Sequence, residues 1–330
     1  MLLRRLLLCL LLTLVSVPCL AWDSVGHRLS AAIALNFIDD DTRDQLVDIL
    51  SAHPRYREDF LDQIPDLVDR DNPEAMAQWL LGQAAFWPDI ARGLPEPARR
   101  RFNRPTWHYT DGAVIRDSAA FQGNIYLGID AFAPITAMEG VTVNRETEAE
   151  NVLTALDYNS WTLADPRRDD AVRAVALCWV LHLIGDIHQP LHTGSLYSRS
   201  LFSGGDRGGN GVPVAAESNL HAVWDRALRS EGLAANLPGI IEQVSAFGRP
   251  RIDGVESDWS AWMAESRQLL QSTVYDETIR AAILAAEAAG TELEPITLSP
   301  AYIERMQQIS RLRLGLAGLR LAIWFENELP

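Results

Sequence analysis

Eleven residues, His182-Leu183-Ile184-Gly185-Asp186-Ile187-His188-Gln189-Pro190-Leu191-His192, constrain this chain more than any other stretch. They close an apolar run from about Asp169 to Gly185 whose spacing predicts a helix. Residues four apart share a helix face, so His182 and Asp186 point to one place and can both reach one metal ion. Pro190 ends the regular turn because it has no N–H and its ring collides with the turn before it. Beyond that break His192 is freed from the helical period and can bend back to the same site or serve a neighbouring ion. His188 falls off the His182/Asp186 face.

A second histidine and aspartate repeat the spacing of four in Asn219-Leu220-His221-Ala222-Val223-Trp224-Asp225. Of seven histidines, six (His27, His108, His182, His188, His192 and His221) lie in short segments beside Asp, Trp or Gly, and His53 alone has an ordinary polar setting. Either pair taken singly also fits a core or surface histidine beside a carboxylate. Between the pairs runs Gly204-Gly205-Asp206-Arg207-Gly208-Gly209-Asn210-Gly211. A phosphate-cradling loop sits between a strand and a helix, and no strand precedes this one, so we read it as a turn beside the site.

The chain opens Met1-Leu2-Leu3-Arg4-Arg5, continues apolar from Leu6 to Val17, and reaches Cys19-Leu20-Ala21 before Trp22. This predicts a signal peptide over 1–21 and cleavage before Trp22, hence export to the periplasm or beyond. The apolar run is short for a membrane span, and no other stretch is long and apolar enough. Only Cys178 would remain of three cysteines, which excludes an internal disulfide and leaves stability to core burial or bound metal. Cys178 itself reads as packing. Net charge is −15, with every basic residue an Arg. A nucleic-acid substrate would then need local positive charge, which clustered divalent metal ions can supply.

Helical spacing appears over Ser24 to Phe37, with Asp23 or Ser24 as cap, and from Asp40 or Asp41 to about Leu50. Short helical pieces broken by Pro54, Pro65 and Pro73 are expected up to Trp79-Leu80-Leu81. Ala85 to Arg92 and Pro105 to Asp111 read as apolar anchors with polar tips, and 112–145 as a long irregular connection. Helices follow over Glu146 to Leu163, Asp169 to Gly185, Leu237 to Phe247, Ser257 to Ser272, Tyr275 to Ala289 and Ser299 to Phe325. The last places Ile309, Leu312, Leu316, Leu319 and Ile323 on one face. No linker or repeat divides residues 22–330, so one mainly α domain is expected.

Assembled in order, these segments resemble the zinc-dependent single-strand nucleases of the S-one/P-one type, themselves similar in fold to bacterial zinc phospholipases C. The marks are Trp22 with Gly26-His27, Trp87-Pro88-Asp89, Trp107-His108-Tyr109-Thr110-Asp111, Gly185 to His192, Gly204-Gly205-Asp206 and Asn219 to Asp225. The resemblance spans nearly all of 22–330 and suggests an exported bacterial member. It implies three zinc ions in one cleft. Asp89, His108, His182 and Asp186 would hold one; Asp186, His27 and the backbone amine and carbonyl of Trp22 a second; His192, His221 and Asp225 the third. The ligand types suit zinc.

By the same resemblance, a metal-activated water hydrolyses phosphodiesters of single-stranded DNA and RNA to 5′-phosphate products, and 3′-nucleotides lose their phosphate. Arg92 matches a phosphate-clamping Arg, Asp111 a carboxylate at the catalytic and base-binding edge, and Tyr109 an aromatic that stacks on a base. No obligate protein partner and no membrane are implied. The chain departs from the fungal pattern in lacking disulfides, and Gly112-Ala113-Val114 follows Asp111 where some relatives carry a Lys, which bears on substrate preference. Two other readings remain open. A zinc phospholipase C would share Trp22 and the His-x-x-x-Asp spacing, but its Trp-to-His gap is longer and its last ligand is Glu, where this chain has Asp225. A non-catalytic exported zinc protein would have closed, cysteine-rich sites.

Overall fold

The computed structural model describes residues 22–110, 149–198, 200–215, 217–246 and 259–329. The expected leader, the connection over 112–145 and Asp111 lie outside them. Helix α7 (Asp170–Ile187) is the axis on which the other elements pack. Its sequence leaves no face suited to water, and every residue from Ala176 to Ile187 is buried. The Asp169 carboxylate starts it by accepting from the backbone N–H groups of Ala171 and Val172, a cap worth about 1 kcal/mol.

Around α7 pack α1 (Ser24–Leu35), α2 (Asp40–Ser51), α4 (Pro73–Arg92), α6 (Val152–Ala164), α10 (Trp259–Leu269) and α12 (Pro300–Glu328). Helix α9 (Gly232–Ser245) lies against both α1 and α12. The short helices are α3 (Tyr56–Asp59), α5 (Ala98–Phe102) and α8 (Leu220–Asp225), and α11 is Glu277–Ala289. The described residues form no sheet, only isolated bridges of Val214 with Glu217 and Ile296. The mainly α architecture expected from the sequence is therefore the one observed. Helix α1 serves two apolar clusters: Ala31 and Ala34 face the one around α7, and Leu29 and Ile33 face the one containing Trp22 and Trp224.

Four local expectations change. Pro73 begins a helix instead of breaking one: it occupies the first turn of α4, where its missing N–H has no helical partner to lose. That helix then runs unbroken through Pro88 to Arg92, so the apolar anchor at 85–92 is its last two turns. On α12 only Leu319 and Ile323 of the expected face are fully buried, while Ile309, Leu312 and Leu316 are half-buried. Small residues make the closest contacts there, since this helix packs on α1 and α9 together. His53 is buried against Phe60, Trp87 and Phe102, not in a polar setting. The helix expected over Ser257 to Ser272 ends at Leu269 and continues as a π-helical turn, Leu270–Val274. Cys178 is fully buried, as expected of a packing residue.

The α1/α12 contact depends on Gly318, where a Cβ would lie 2.5 Å from Ile33 Cβ and 2.7 Å from Ser30 O. Both neighbours belong to a packed helix and cannot swing away. Gly318→Ala should lower the unfolding free energy by roughly 1–3 kcal/mol. Urea denaturation would read this as a lower midpoint with an unchanged slope.

Candidate metal centre

Eight side chains from six different elements converge beside the C-terminal half of α7. His27 stands in the first turn of α1, which the Asp23 carboxylate caps through Val25 N and Gly26 N. Asp89 comes from the last turn of α4, His108 from the end of the 3-10 turn Pro105–His108, and His182 and Asp186 from α7. His192 ends the 3-10 turn Pro190–His192 that follows α7, and His221 and Asp225 span α8, capped by Asn219. They form three groups of potential ligands: His27, His182 and Asp186; Asp89, His108 and His182; His192, His221 and Asp225. Within each group the ligand atoms lie within 4.8 Å of one another, and every residue is buried.

Asp186 occupies the middle. Its Oδ2 is 3.2 Å from His182 Nε2 and 3.3 Å from His108 Nδ1, and its Oδ1 is 3.6 Å from His27 Nε2. The His27 and His182 rings stack with centroids 3.9 Å apart. In the third group His221 Nε2 is 3.2 Å from Asp225 Oδ2 and 3.1 Å from His192 Nε2. Gln189, inside the same turn, donates from Nε2 to Asp225 Oδ1 at 2.8 Å and accepts from Leu191 N.

Backbone carbonyls set the direction of three of these rings. His182 Nδ1 donates to Ala85 O (2.8 Å), His192 Nδ1 to His108 O (2.7 Å) and His221 Nδ1 to Gly208 O (2.6 Å). A carbonyl only accepts, so each Nδ1 carries the proton and each Nε2 presents a lone pair to the centre. The glycine-rich turn therefore works by its backbone. Gly208 sits at φ +59°, and a Cβ there would lie 2.2 Å from Leu191 O, so only glycine brings its carbonyl this close. Asp206 holds that turn, accepting from Leu196 N (2.9 Å) and from the Tyr275 hydroxyl (2.6 Å).

Neither oxygen of Asp89 or Asp186, nor either ring nitrogen of His27, has a hydrogen-bond partner. Six buried polar atoms without partners are costly to hold in a fold. Divalent cations would engage all three residues, one His27 nitrogen with Asp186 in one group and Asp89 in the next, and imidazole nitrogens with carboxylate oxygens are the donor set such ions take. Without a cation, burial pushes the Asp186 carboxyl up to about 8 and Asp89 up to about 6. Burial likewise holds His27 and His108 well below the usual imidazole range, and brings His182 down to about 4. Asp225 differs: burial works to raise it, but His221 and His192 outweigh burial and hold it low.

At the rim, Arg92 in the last turn of α4 places Nε 3.1 Å from Asp89 Oδ1. Tyr109 follows His108 in extended backbone and is half-buried. Its carbonyl accepts from Val152 N, and Thr110 N donates to His192 O at 2.9 Å, which pins this segment against the centre. Trp22 lies alongside as well: its indole donates to Gly185 O at 3.0 Å, and Asp23 N donates to Asp225 O at 3.1 Å. His188 points elsewhere, donating from Nδ1 to Ile184 O and facing Arg320 with Nε2. All the expected site residues among the described ones thus meet at one place. The sequence reading missed Gln189 and Tyr275, and the carbonyls of Ala85, His108 and Gly208. Gln189 was within the key stretch and open to notice, whereas a carbonyl's direction leaves no mark in sequence.

Residues 22–329 match the S1/P1 Nuclease family model. The chain is 26% identical to Endonuclease 3 of Arabidopsis thaliana over 95% of its own length and 90% of that protein's. It is 27% identical to Endonuclease 4 of the same plant over 95% and 91%, and 23% identical to Nuclease S1 of Aspergillus oryzae over 92% and 91%. The chain belongs to the S1/P1 nuclease family, a family of phosphodiester hydrolases that depend on metal, in keeping with the three His/Asp groups.

The raised Asp186 carboxyl gives the metal-free chain a pH-dependent stability of definite sign. A carboxyl at 3.8 unfolded and about 8 folded keeps more protons in the folded state, so stability is full below the unfolded value and is lost as pH rises through about 8. Thermal unfolding in chelator should therefore show Tm falling from about pH 7.5 to 9, above the range in which the depressed His27, His108 and His182 contribute the opposite slope. Metal loading should abolish or reverse that slope, because ligands bind deprotonated and protons compete with the ion. A chelated protein whose Tm rises over this range would contradict the assignment.

Proposed function

We propose that this chain is a zinc-dependent endonuclease that hydrolyses single-stranded DNA and RNA to 5′-phosphate products and also removes the phosphate from 3′-nucleotides. The observation that carries this reading is the trio of buried His/Asp groups, two of them with unpartnered atoms, inside a family match that begins at Trp22. Asp89, His108, His182 and Asp186 would hold one zinc ion, and Asp186, His27 and the Trp22 backbone a second. His192, His221 and Asp225 would hold the third. Zinc bound in such sites supplies positive charge for phosphate oxygens and lowers the pKa of water toward neutrality.

The remaining work falls to the protein's own groups. Arg92 is turned by Asp89, and its planar fork is suited to two phosphate oxygens. Tyr109 is held at the rim by its backbone bonds on either side, where an aromatic face accepts a base that is not already stacked in a duplex. That requirement supports the preference for single strands. Asp111, two residues on, is assigned to the base-binding edge by the resemblance alone. The 1–21 leader would be removed on export to the periplasm or beyond. Removal would free the Trp22 amine, and the anchoring of Trp22 beside Gly185 and of Asp23 on Asp225 supports that reading.

Hydrolysis of single-stranded DNA, RNA and a 3′-mononucleotide by protein starting at Trp22, with zinc counted in the same sample, tests the proposal. We expect 5′-phosphate ends, about three ions bound in sites that keep an open position, and loss of both in a variant with one extra residue before Trp22. Full zinc without hydrolysis of any of the three would refute it. Arg92→Lys should lower kcat/KM by about 10²-fold, since a lysine offers a point charge where the fork made two bonds, with zinc content unchanged. Tyr275→Phe should leave the fold intact but loosen the Gly208 turn. The weakest-held ion should then dissociate roughly 10–100-fold more readily in a chelator competition.

A further inference from the structure

Beyond the centre, α5 carries an unusual concentration of charge for so acidic a chain. Arg99, Arg100, Arg101 and Arg104 fall within six positions of a protein whose net charge is −15. Arg99 and Arg100 share one carboxylate, Glu96, at 3.0 and 3.6 Å. Arg101 and Arg104 face no carboxylate among the described residues; they lie over the Phe102 and Trp107 rings, at 5.0 and 5.7 Å from the centroids. Both line a groove of about 250 Å³ that runs between α5, α6 and α7, with Trp107, Tyr158, Val172 and Trp179 among its walls. Val172 is 41% exposed, one of two large apolar side chains left open to solvent among the described residues.

The groove adjoins the metal centre. Trp107 precedes His108 in the same 3-10 turn, and the Trp179 ring stands 5.3 Å from that of His108 and 6.1 Å from that of His182. Its volume falls short of the ~300–1,000 Å³ of a full small-molecule pocket, so it suits one ring system and not a whole nucleotide. Aromatic walls with guanidinium groups at the mouth are the combination that holds a base by stacking and its flanking phosphates by charge. An acidic protein repels a polyanion except where local charge reverses the field.

Taking the nuclease reading as its basis, we propose that this groove is a subsite for single-stranded nucleic acid, separate from the scissile phosphate. It takes one base against Trp107 and Tyr158, with Arg101 and Arg104 on the adjoining phosphates. It therefore acts only on strands long enough to reach it, and it lowers KM without touching kcat.

The test compares metal-loaded wild type with the double variant Arg101→Glu/Arg104→Glu on a dinucleotide and on a single strand of roughly 20 nucleotides, at several salt concentrations. Both substitutions are on the surface and outside the metal centre. We expect KM for the long strand to rise roughly tenfold and its salt slope to shrink by about 1.4, the share of two phosphate contacts on single strands. The dinucleotide constants and kcat should stay unchanged. No change on the long strand, or equal change on both substrates, would overturn the subsite. Should wild type cleave neither substrate, the nuclease reading itself fails, and fluorescence anisotropy of the labelled long strand then decides the groove alone. Binding that the double variant loses supports the subsite, and binding equal in both, or none in either, overturns it.

Discussion

The carboxylate of Asp186, buried without a hydrogen bond among four histidines, is the constraint on which the rest of this structure depends. No fold keeps such a group in that setting for stability, because an unpaired buried charge is among the most expensive things a core can contain. The helix that carries it must be surrounded completely, and α7 is. Its neighbours must each bring something to the same point, and α1 brings His27, α4 Asp89, and the segment before α6 His108. A divalent cation resolves the conflict, which makes metal and fold parts of one energy balance.

Helices supply position in this centre, and turns supply direction. The i, i+4 pairs on α7 and α8 place a histidine above an aspartate by helical geometry alone. Which nitrogen each histidine presents depends on carbonyls from elsewhere: Ala85 in α4, His108 at the end of its 3-10 turn, and Gly208 in the glycine-rich turn. Asp206 and Tyr275 extend the support outward to the second apolar cluster, so the orientation of His221 rests on packing well away from it.

Charge divides the molecule in a way its net value conceals. The chain as a whole repels polyanions, yet Arg92 stands at the metal centre, and α5 carries three more arginines with Arg104 just after it. Local positive potential in a low-dielectric cleft outweighs a diffuse negative background at short range, since salt screens exposed charges beyond about 10 Å. An acidic nuclease is consistent on these terms, provided the substrate approaches from the side that α5 and α4 present.

Much of this was legible in the sequence because it rests on periodicity and local sterics. The helix over α7, the shared face of His182 and Asp186, the break at Pro190 and the cap at Asp23 all follow from neighbours in the chain. The resemblance carried by those motifs then named the family that the match over 22–329 establishes. Tertiary structure decided what local rules leave open. Pro73 is an exception, since the Asn72 side chain accepts from Glu74 N and Ala75 N and marks it locally as a first-turn residue. The face that α12 buries was decided by two helices pressing on it at Gly315 and Gly318, not by its own leucines. His53 looked polar beside Ser51 and Arg55, yet Trp87 and Phe102 enclose it from far along the chain. Sequence determines which groups are available and which neighbours share a face; only the folded chain decides which carbonyl each ring meets, because that contact joins residues up to 97 positions apart.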